Sequence, residues 1–410
     1  MQKIIKSLSI GPATMVAAAF IGPGTVITAS LAGANYGYAL LWALLFAIVA
    51  SVILQEMSAR LGLVTGRGLG ENIRDSLQHP LLRWPALLLV ISAIVIGNAA
   101  YEGGNLAGAS AGLKLLAGSV GSSPDGVTTL WPIVVAGIAA ALLWTGSYKL
   151  IERALIALVA LMSLAFLITF FITRPDFGDL FSGLLHPSIP TGATLTVIAL
   201  IGTTVVPYNL FLHSSSVSQK WHSTEQLPLA RRDILFSIPL GGLISIAIVS
   251  TAASAFFIEQ IKVDNAAEMA RALEPLFGKA ALYCMGIGLF AAGISSALTA
   301  PLASAYALSG VLGKVPDLKT LQFRTIWLTI IVIGALVATQ GIRPLRLIWF
   351  AQIANGLLLP IITAFLLWTM NSTRLGEHRN RWWQNALGTA VLLITLVLGG
   401  RSLLAALGWL

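Results

Sequence analysis

Eleven apolar runs divide this chain of 410 residues, and each is long enough to cross a ~30 Å hydrocarbon core as a helix. They fall at about 10–33, 38–61, 84–117, 130–147, 151–173, 191–215, 232–258, 278–310, 323–341, 344–370 and 384–408. Lipid offers no hydrogen bonds, so every backbone N–H and C=O in such a run must be satisfied by protein. Two runs nevertheless carry a break at corresponding places. Gly22-Pro23-Gly24-Thr25 interrupts the first, and Val205-Val206-Pro207-Tyr208-Asn209 interrupts the sixth. Proline removes a donor and clashes with the preceding turn, so the helix opens there. Opened backbone is tolerated at membrane depth only where it is buried in protein or lines a cavity. Paired interruptions in two halves point to a transporter's binding site.

Charge fits this reading. Charged residues make up 10% of the chain, against about 25% in soluble domains, so an integral membrane protein is expected. The net charge of +9 is topological and implies no nucleic-acid partner. With the N-terminus inside, 17 of the 25 Lys and Arg fall on the inner side, Arg60, Arg231, Arg379 and Arg381 among them. An odd number of spans then puts the C-terminus outside. The N-terminal run lacks a small-residue cleavage site and is broken by Pro23-Gly24, so it reads as a retained first helix. The single cysteine, Cys284, excludes an intrachain disulfide.

The expected fold class is an all-α integral membrane protein with discontinuous first and sixth helices. Residues 1–180 hold spans one to five, 181–372 spans six to ten, and 373–410 an additional eleventh helix. Five spans per half is odd, so the second half enters from the opposite face. That is an inverted repeat, with its site near the midplane between the halves.

Several stretches carry a family resemblance. They are Gly33-Ala34-Asn35-Tyr36-Gly37-Tyr38, Ala59-Arg60-Leu61-Gly62-Leu63-Val64-Thr65-Gly66, Asn209-Leu210-Phe211-Leu212-His213-Ser214-Ser215, and Gly293-Ile294-Ser295-Ser296 with Thr299. In these the chain resembles the Nramp family of proton-coupled divalent metal-ion transporters, over about residues 10–372. The resemblance implies a LeuT-type 5+5 inverted repeat, secondary-active transport by alternating access, and a bacterial inner or plasma membrane. Family members hold the metal with an Asp-Pro-Gly-Asn motif in helix 1 and a Met-Pro-His-Asn motif in helix 6. This chain departs from both. Gly22 stands in place of the aspartate, Thr25 of the asparagine, Val206 of the methionine, and Tyr208 of the histidine.

The departure changes what the site can bind. A thioether selects transition metals, and Val206 has no donor. A dehydrated divalent cation without a carboxylate leaves its charge uncompensated, at a cost of several kcal/mol. Manganese, iron and cadmium are therefore not expected as main substrates, and none of the usual metal ligands is present. The candidate substrate-binding residues are Ala19, Gly22, Thr25, Thr203, Val206, Asn209 and Gln352. A hard divalent cation such as magnesium, which keeps its waters, is one expected substrate. A small organic solute such as an amino acid is another, because a glycine-rich break offers amides to a carboxylate. Restoring Asp, Asn and Met at positions 22, 25 and 206 is expected to recreate manganese binding.

Glu102 lies deep in the third run near Asn98, Tyr101 and Asn105, and an intramembrane acid is a functional candidate by default. By the resemblance it falls near the acid of the family's proton route. His213, six residues after Pro207, matches a family histidine and is a second candidate for proton coupling. Either residue also has a purely structural reading, as a bonded buried group. Gln352 matches a family glutamine, and Asn355 lies one turn further on. Glu56 and Glu152, beside Arg60 and Arg153, are expected to form gate or interface salt bridges. Arg343 and Arg346 are expected to snorkel at the outer interface. No Walker loop, HExxH pair, GxSxG elbow or haem-type histidine cluster occurs, so neither an enzyme nor a cofactor is expected. A sensor or ion leak on the same scaffold is the rival to a transporter.

Overall fold

The computed structural model describes residues 11–77, 80–117, 130–257, 280–340 and 344–406. All eleven expected spans have a helical counterpart. The first is α1 (Pro12–Phe20) continued by α2 (Pro23–Tyr36), with a bend of 53° between them. α3 (Leu41–Thr65) leads through the short α4 (Leu69–Ser76) to α5 (Pro80–Leu116). α6 (Leu130–Trp144) and α7 (Tyr148–Thr173) complete the first five spans. The short α8 (Phe177–Leu185) contains residue 180, the expected end of the first half. The sixth span is α9 (Thr194–Thr204) continued by α10 (Pro207–Lys220). Next come α11 (Leu227–Ala252), α12 (Ala280–Leu312), α13 (Leu321–Ala338), α14 (Pro344–Met370) and α15 (Trp382–Ala406). At 1.5 Å per residue α5 runs ~55 Å, longer than the hydrocarbon core, so it tilts or protrudes.

The radial distribution is that of a membrane protein. Outward positions are apolar: Phe171 is 68% exposed and Leu235 62%. The interior instead holds polar groups, including Gln55, Asn98, Glu102, Asn209 and His213, all at most 3% exposed. Glycines in the family-like stretches explain how the helices approach closely enough to seal that interior. A Cβ on Gly33 would stand 2.2 Å from the Val249 carbonyl oxygen of α11, and one on Gly62 2.2 Å from that of Ser214 in α10. At Gly293 of α12 it would meet Ala109 of α5 at 2.5 Å. In all three places backbone meets backbone and only glycine fits.

One tether crosses between the halves. Gly11, at the N-cap of α1, has no side chain to cap the first turn. Asp233 of α11 supplies the missing acceptor, taking the Gly11 N–H at 3.0 Å and the Ala13 N–H at 2.8 Å. The Ser237 hydroxyl donates to the same carboxylate at 3.2 Å. A carboxylate at a helix N-terminus meets both the free amides and the positive dipole end. A Cβ at position 11 would stand 2.4 Å from the Asp233 Oδ2, so Gly11 is the residue that lets the carboxylate in. Asp233 sits next to Arg231 and Arg232, a setting that in sequence reads as ordinary interfacial charge.

Of the two interface salt bridges, Glu56 keeps the partner beside it in sequence and Glu152 takes another. Glu152 pairs at 2.7 Å with Lys220 at the end of α10, not with Arg153. Glu56 pairs with Arg60 at 3.1 Å and also reaches Arg231 of α11 at 2.9 Å. Arg343 lies outside the described residues, as does the side chain of Arg346.

Removing the tether tests it. Asp233→Ala is expected to lower stability by about 1–2 kcal/mol, the worth of a charged N-cap, and Asp233→Asn by less. Thermal unfolding in detergent reads both; equal effects from the two variants would show that the carboxylate is not capping α1.

Candidate functional site

The two breaks have the same backbone conformation. Ile21 has φ −84°, ψ 60° and Gly22 φ −92°, ψ −178°. Val205 has φ −96°, ψ 73° and Val206 φ −82°, ψ 124°. Each is an inverse-γ-like residue, then an extended residue, then a proline that opens the next helix. Proline fits there because the first-turn position has no N–H to lose. Gly22 has negative φ, so its backbone does not require glycine.

What requires glycine is space. A Cβ at position 22 would lie 2.4 Å from the Ser296 Oγ of α12 and 3.5 Å from the Tyr101 hydroxyl of α5. Ser296 is among the groups that satisfy carbonyls at the end of α1. The Ser295 hydroxyl donates to the Ala18 carbonyl at 3.1 Å, and that of Ser296 to the Ala19 carbonyl at 3.1 Å. Tyr208, at the start of α10, reaches the Ala19 carbonyl at 3.4 Å. Thr25 donates to the Phe20 carbonyl, and its Oγ1 lies 2.6 Å from the Thr203 Oγ1 of α9. The two gaps therefore adjoin. Ala19, Gly22, Thr25 and Thr203 are brought together, all of them completely or almost completely buried.

Val206 and Asn209 flank the first turn of α10, where the Asn209 N–H donates to the Val206 carbonyl at 3.1 Å. Val206 is 1% exposed and fills its place with carbon alone. Asn209 is 0% exposed, and neither its Oδ1 nor its Nδ2 has a hydrogen-bond partner among the described residues. A buried amide left unpaired costs about 1–3 kcal/mol. That cost makes Asn209 the group in the gap whose side chain lacks a counterpart. Gln352 belongs to α14, and its side chain lies outside the described residues.

Glu102 is fully buried in α5 one residue after Tyr101, so the two side chains take different directions. Tyr101 faces the gap, its ring 5.7 Å from that of Tyr208. Glu102 instead packs on Gly334 of α13, where a Cβ would meet its Cγ at 2.5 Å. The Asn105 amide donates to Oε2 at 3.2 Å, while Oε1 is without a partner among the described residues. His213 lies in α10; its Nδ1 is 2.9 Å from the Gln55 Oε1 of α3, and its Nε2 has no partner among the described residues. Among the described residues no three His, Cys, Asp or Glu side chains converge as a metal cluster.

Sequence reasoning passed over Ser295, Ser296 and Tyr101 as members of this site, and Gln55 as the partner of His213. Ser295 and Ser296 lie in one of the family-like stretches, which was the available signal. Tyr101 and Gln55 gave none, since a lone polar residue in an apolar run shows no direction.

Residues 13–405 match the family described as Natural resistance-associated macrophage protein-like. The chain is 30% identical over 411 residues to the divalent metal cation transporter MntH of Erwinia tasmaniensis, covering 98% of this chain and 95% of that one. It is 31% identical over 414 residues to the same-named protein of Yersinia pestis, covering 98% and 96%. Its fold is similar to a crystal structure of a mutant Eremococcus coleocola manganese transporter, with a TM-score of 0.79 at 21% identity over 97% of this chain and 86% of that one. The same transporter in complex with an aromatic bis-isothiourea compound gives 0.77 at 20% identity. The architecture is thus the LeuT-type 5+5 inverted repeat with an eleventh helix.

The packing at Gly22 is open to test. Gly22→Ala is expected to cost about 1–3 kcal/mol by overpacking, and the penalty should shrink in a Ser296→Ala background, where the nearest remaining atom would be at 3.2 Å. A thermal-unfolding double-mutant cycle that shows strict additivity would contradict the contact.

Proposed function

The chain belongs to the Nramp family, and from that membership we propose that it is a proton-coupled secondary-active transporter of a hard divalent cation, working by alternating access. The observation that carries the substrate class is the donor set at the adjoining breaks. Carbonyls of α1, the Thr25 and Thr203 hydroxyls and the unpaired Asn209 amide offer neutral oxygen, and position 206 offers none. Neutral oxygen donors suit hard cations, and the absence of sulfur removes the preference for soft ones. With no carboxylate in the gap, the cation is best taken with much of its hydration shell, as magnesium is.

In this reading Ala19, Gly22, Thr25, Thr203, Val206, Asn209 and Gln352 form the substrate site. Opening of the gap frees the Ala19 and Phe20 carbonyls from Ser296, Tyr208 and Thr25, and water-borne cation takes the place of those hydroxyls. Glu102 is the proton-coupling carboxylate. It stands behind Tyr101, close enough to offset part of an entering charge and to lose that role on protonation. His213 relays protons through its Nε2, which has no partner among the described residues. The basic end of the bundle faces the cytoplasm, which puts the N-terminus inside and the C-terminus outside.

Proteoliposome flux tests the reading. Magnesium uptake should saturate and rise with an inward proton gradient. Asn209→Ala should weaken apparent affinity about tenfold or more, since an oxygen partner to a charged group contributes about 1.5–3 kcal/mol. Glu102→Gln should keep cation binding and lose the response to the pH gradient. Saturable manganese uptake in preference to magnesium would overturn the assignment. Amino-acid uptake without cation flux would favour an organic-solute permease, and binding without any flux would mark a sensor.

A further inference from the structure

Away from the breaks, a cavity of about 700 Å³ opens at the basic end of the bundle, between α3, the first turns of α11 and α15, and the segment 377–381. Its lining is divided by chemistry. Arg60, Arg231, Arg379 and Arg381 stand against Glu56 and Glu377, an excess of two positive charges. Val52, Ile53, Met57, Leu387 and Trp383 make up an apolar part. Val52, Ile53, Glu56, Met57 and Arg60 form one stripe along α3, ~12 Å long at 1.5 Å per residue. The cavity is therefore a slot with a cationic mouth at the end of the helices and a hydrocarbon wall running toward the membrane interior.

The charges at the mouth are not all matched. Arg60 is 3% exposed and built into the wall, donating to the His378 and Arg379 carbonyls, the Asn380 side chain and Glu56. Its Nε–H has no partner among the described residues. Glu56 is already held by Arg60 and by two donors of Arg231. The guanidinium of Arg381 has no hydrogen bond or ion pair among the described residues, and that of Arg379 reaches only its own segment, at the Gly376 carbonyl. A buried donor without an acceptor, beside exposed guanidinium groups, calls for an anion with several oxygens, and arginine forks fit phosphate.

We propose that this slot binds an anionic phospholipid, its phosphate headgroup among Arg60, Arg379 and Arg381 and an acyl chain along Val52, Ile53, Met57 and Leu387. The apolar wall is what selects a lipid over a soluble anion. A free phosphate would satisfy the arginines and leave the hydrocarbon part of the slot unfilled, whereas a lipid covers both. Trp383, at the start of α15, is placed as an interfacial aromatic beside the headgroup. The lipid would join α3, α11 and α15, tying the eleventh helix to helices from both halves.

The test uses the full chain in neutral detergent, with phosphatidylglycerol, phosphatidylcholine and inorganic phosphate as separate probes. Phosphatidylglycerol is expected to raise the melting temperature by about 3 °C and to survive as a bound lipid in native mass spectrometry, and phosphatidylcholine to do neither. Arg379→Gln with Arg381→Gln removes only exposed side chains and should weaken phosphatidylglycerol binding about tenfold or more, with the lipid-free melting temperature unchanged. Ile53→Trp, filling the apolar wall, should weaken it while leaving any response to inorganic phosphate. Equal shifts from the two lipids would overturn the proposal. So would a phosphatidylglycerol effect that millimolar phosphate reproduces in full, because the slot would then be a site for the anion alone.

Discussion

A peptide carbonyl freed inside a membrane must find a donor, and this structure is organised around that requirement. Ala18, Ala19 and Phe20 end a helix at depth, and four hydroxyls from three other helices reach them: Ser295, Ser296, Tyr208 and Thr25. The donors exist because α12 and α10 come close, and α12 in turn is held near α5 by Gly293 against Ala109. Gly22 completes the chain of dependence, leaving room for the Ser296 hydroxyl. The break is thus a packed feature with its own hydrogen-bond partners. Its partners are all neutral and all replaceable by water or a ligand oxygen.

Neutrality at the gap is paired with charge kept elsewhere. Other carboxylates, buried or half-buried, are engaged elsewhere: Asp233 caps α1, Glu56 holds Arg60 and Arg231, and Glu152 holds Lys220. Among the described residues Glu102 differs from these, with one oxygen unpartnered and no ion pair. A carboxylate is costly to bury in a membrane, and in the proposed function Glu102 and the charge in the neighbouring gap are coupled through space. On that proposal a substrate that brings positive charge would favour the ionised form, and its departure the protonated one. Glu102 packs on Gly334 of α13 while Tyr101 faces the gap, so on that proposal the coupling acts at a distance.

Much of this architecture was legible in the sequence because lipid restricts the options. All eleven spans appear in the apolar runs, and the two breaks sit at Pro23 and Pro207 as read. Proline alone would not have found them, since Pro239, Pro301 and Pro360 lie within continuous helices. What marked the true breaks was the recurrence of the pattern in two halves. Gly22, Thr25 and Val206 were legible as departures from a family pattern. The hydroxyl donors, the Asp233 tether and the Lys220 partner of Glu152 were not, because each depends on which helices meet, and apolar runs carry little directional information about packing.

The departure of Gly22 from that pattern also has a structural meaning that residue identity alone hides. An aspartate at this position needs the volume now held by Ser296, whose Oγ would be 2.4 Å from the new Cβ. Charge and space at the gap are consequently linked: the chain cannot acquire a carboxylate there without also giving up a donor to the Ala19 carbonyl. A carbonyl that loses its protein donor is one that a metal can ligate. Tyr208 also reaches the Ala19 carbonyl, so an aspartate at position 22 would uncover that carbonyl only in part. On the proposed function a substrate must compete with the hydroxyls that cover these carbonyls, which favours a cation that arrives with water over one that must be stripped.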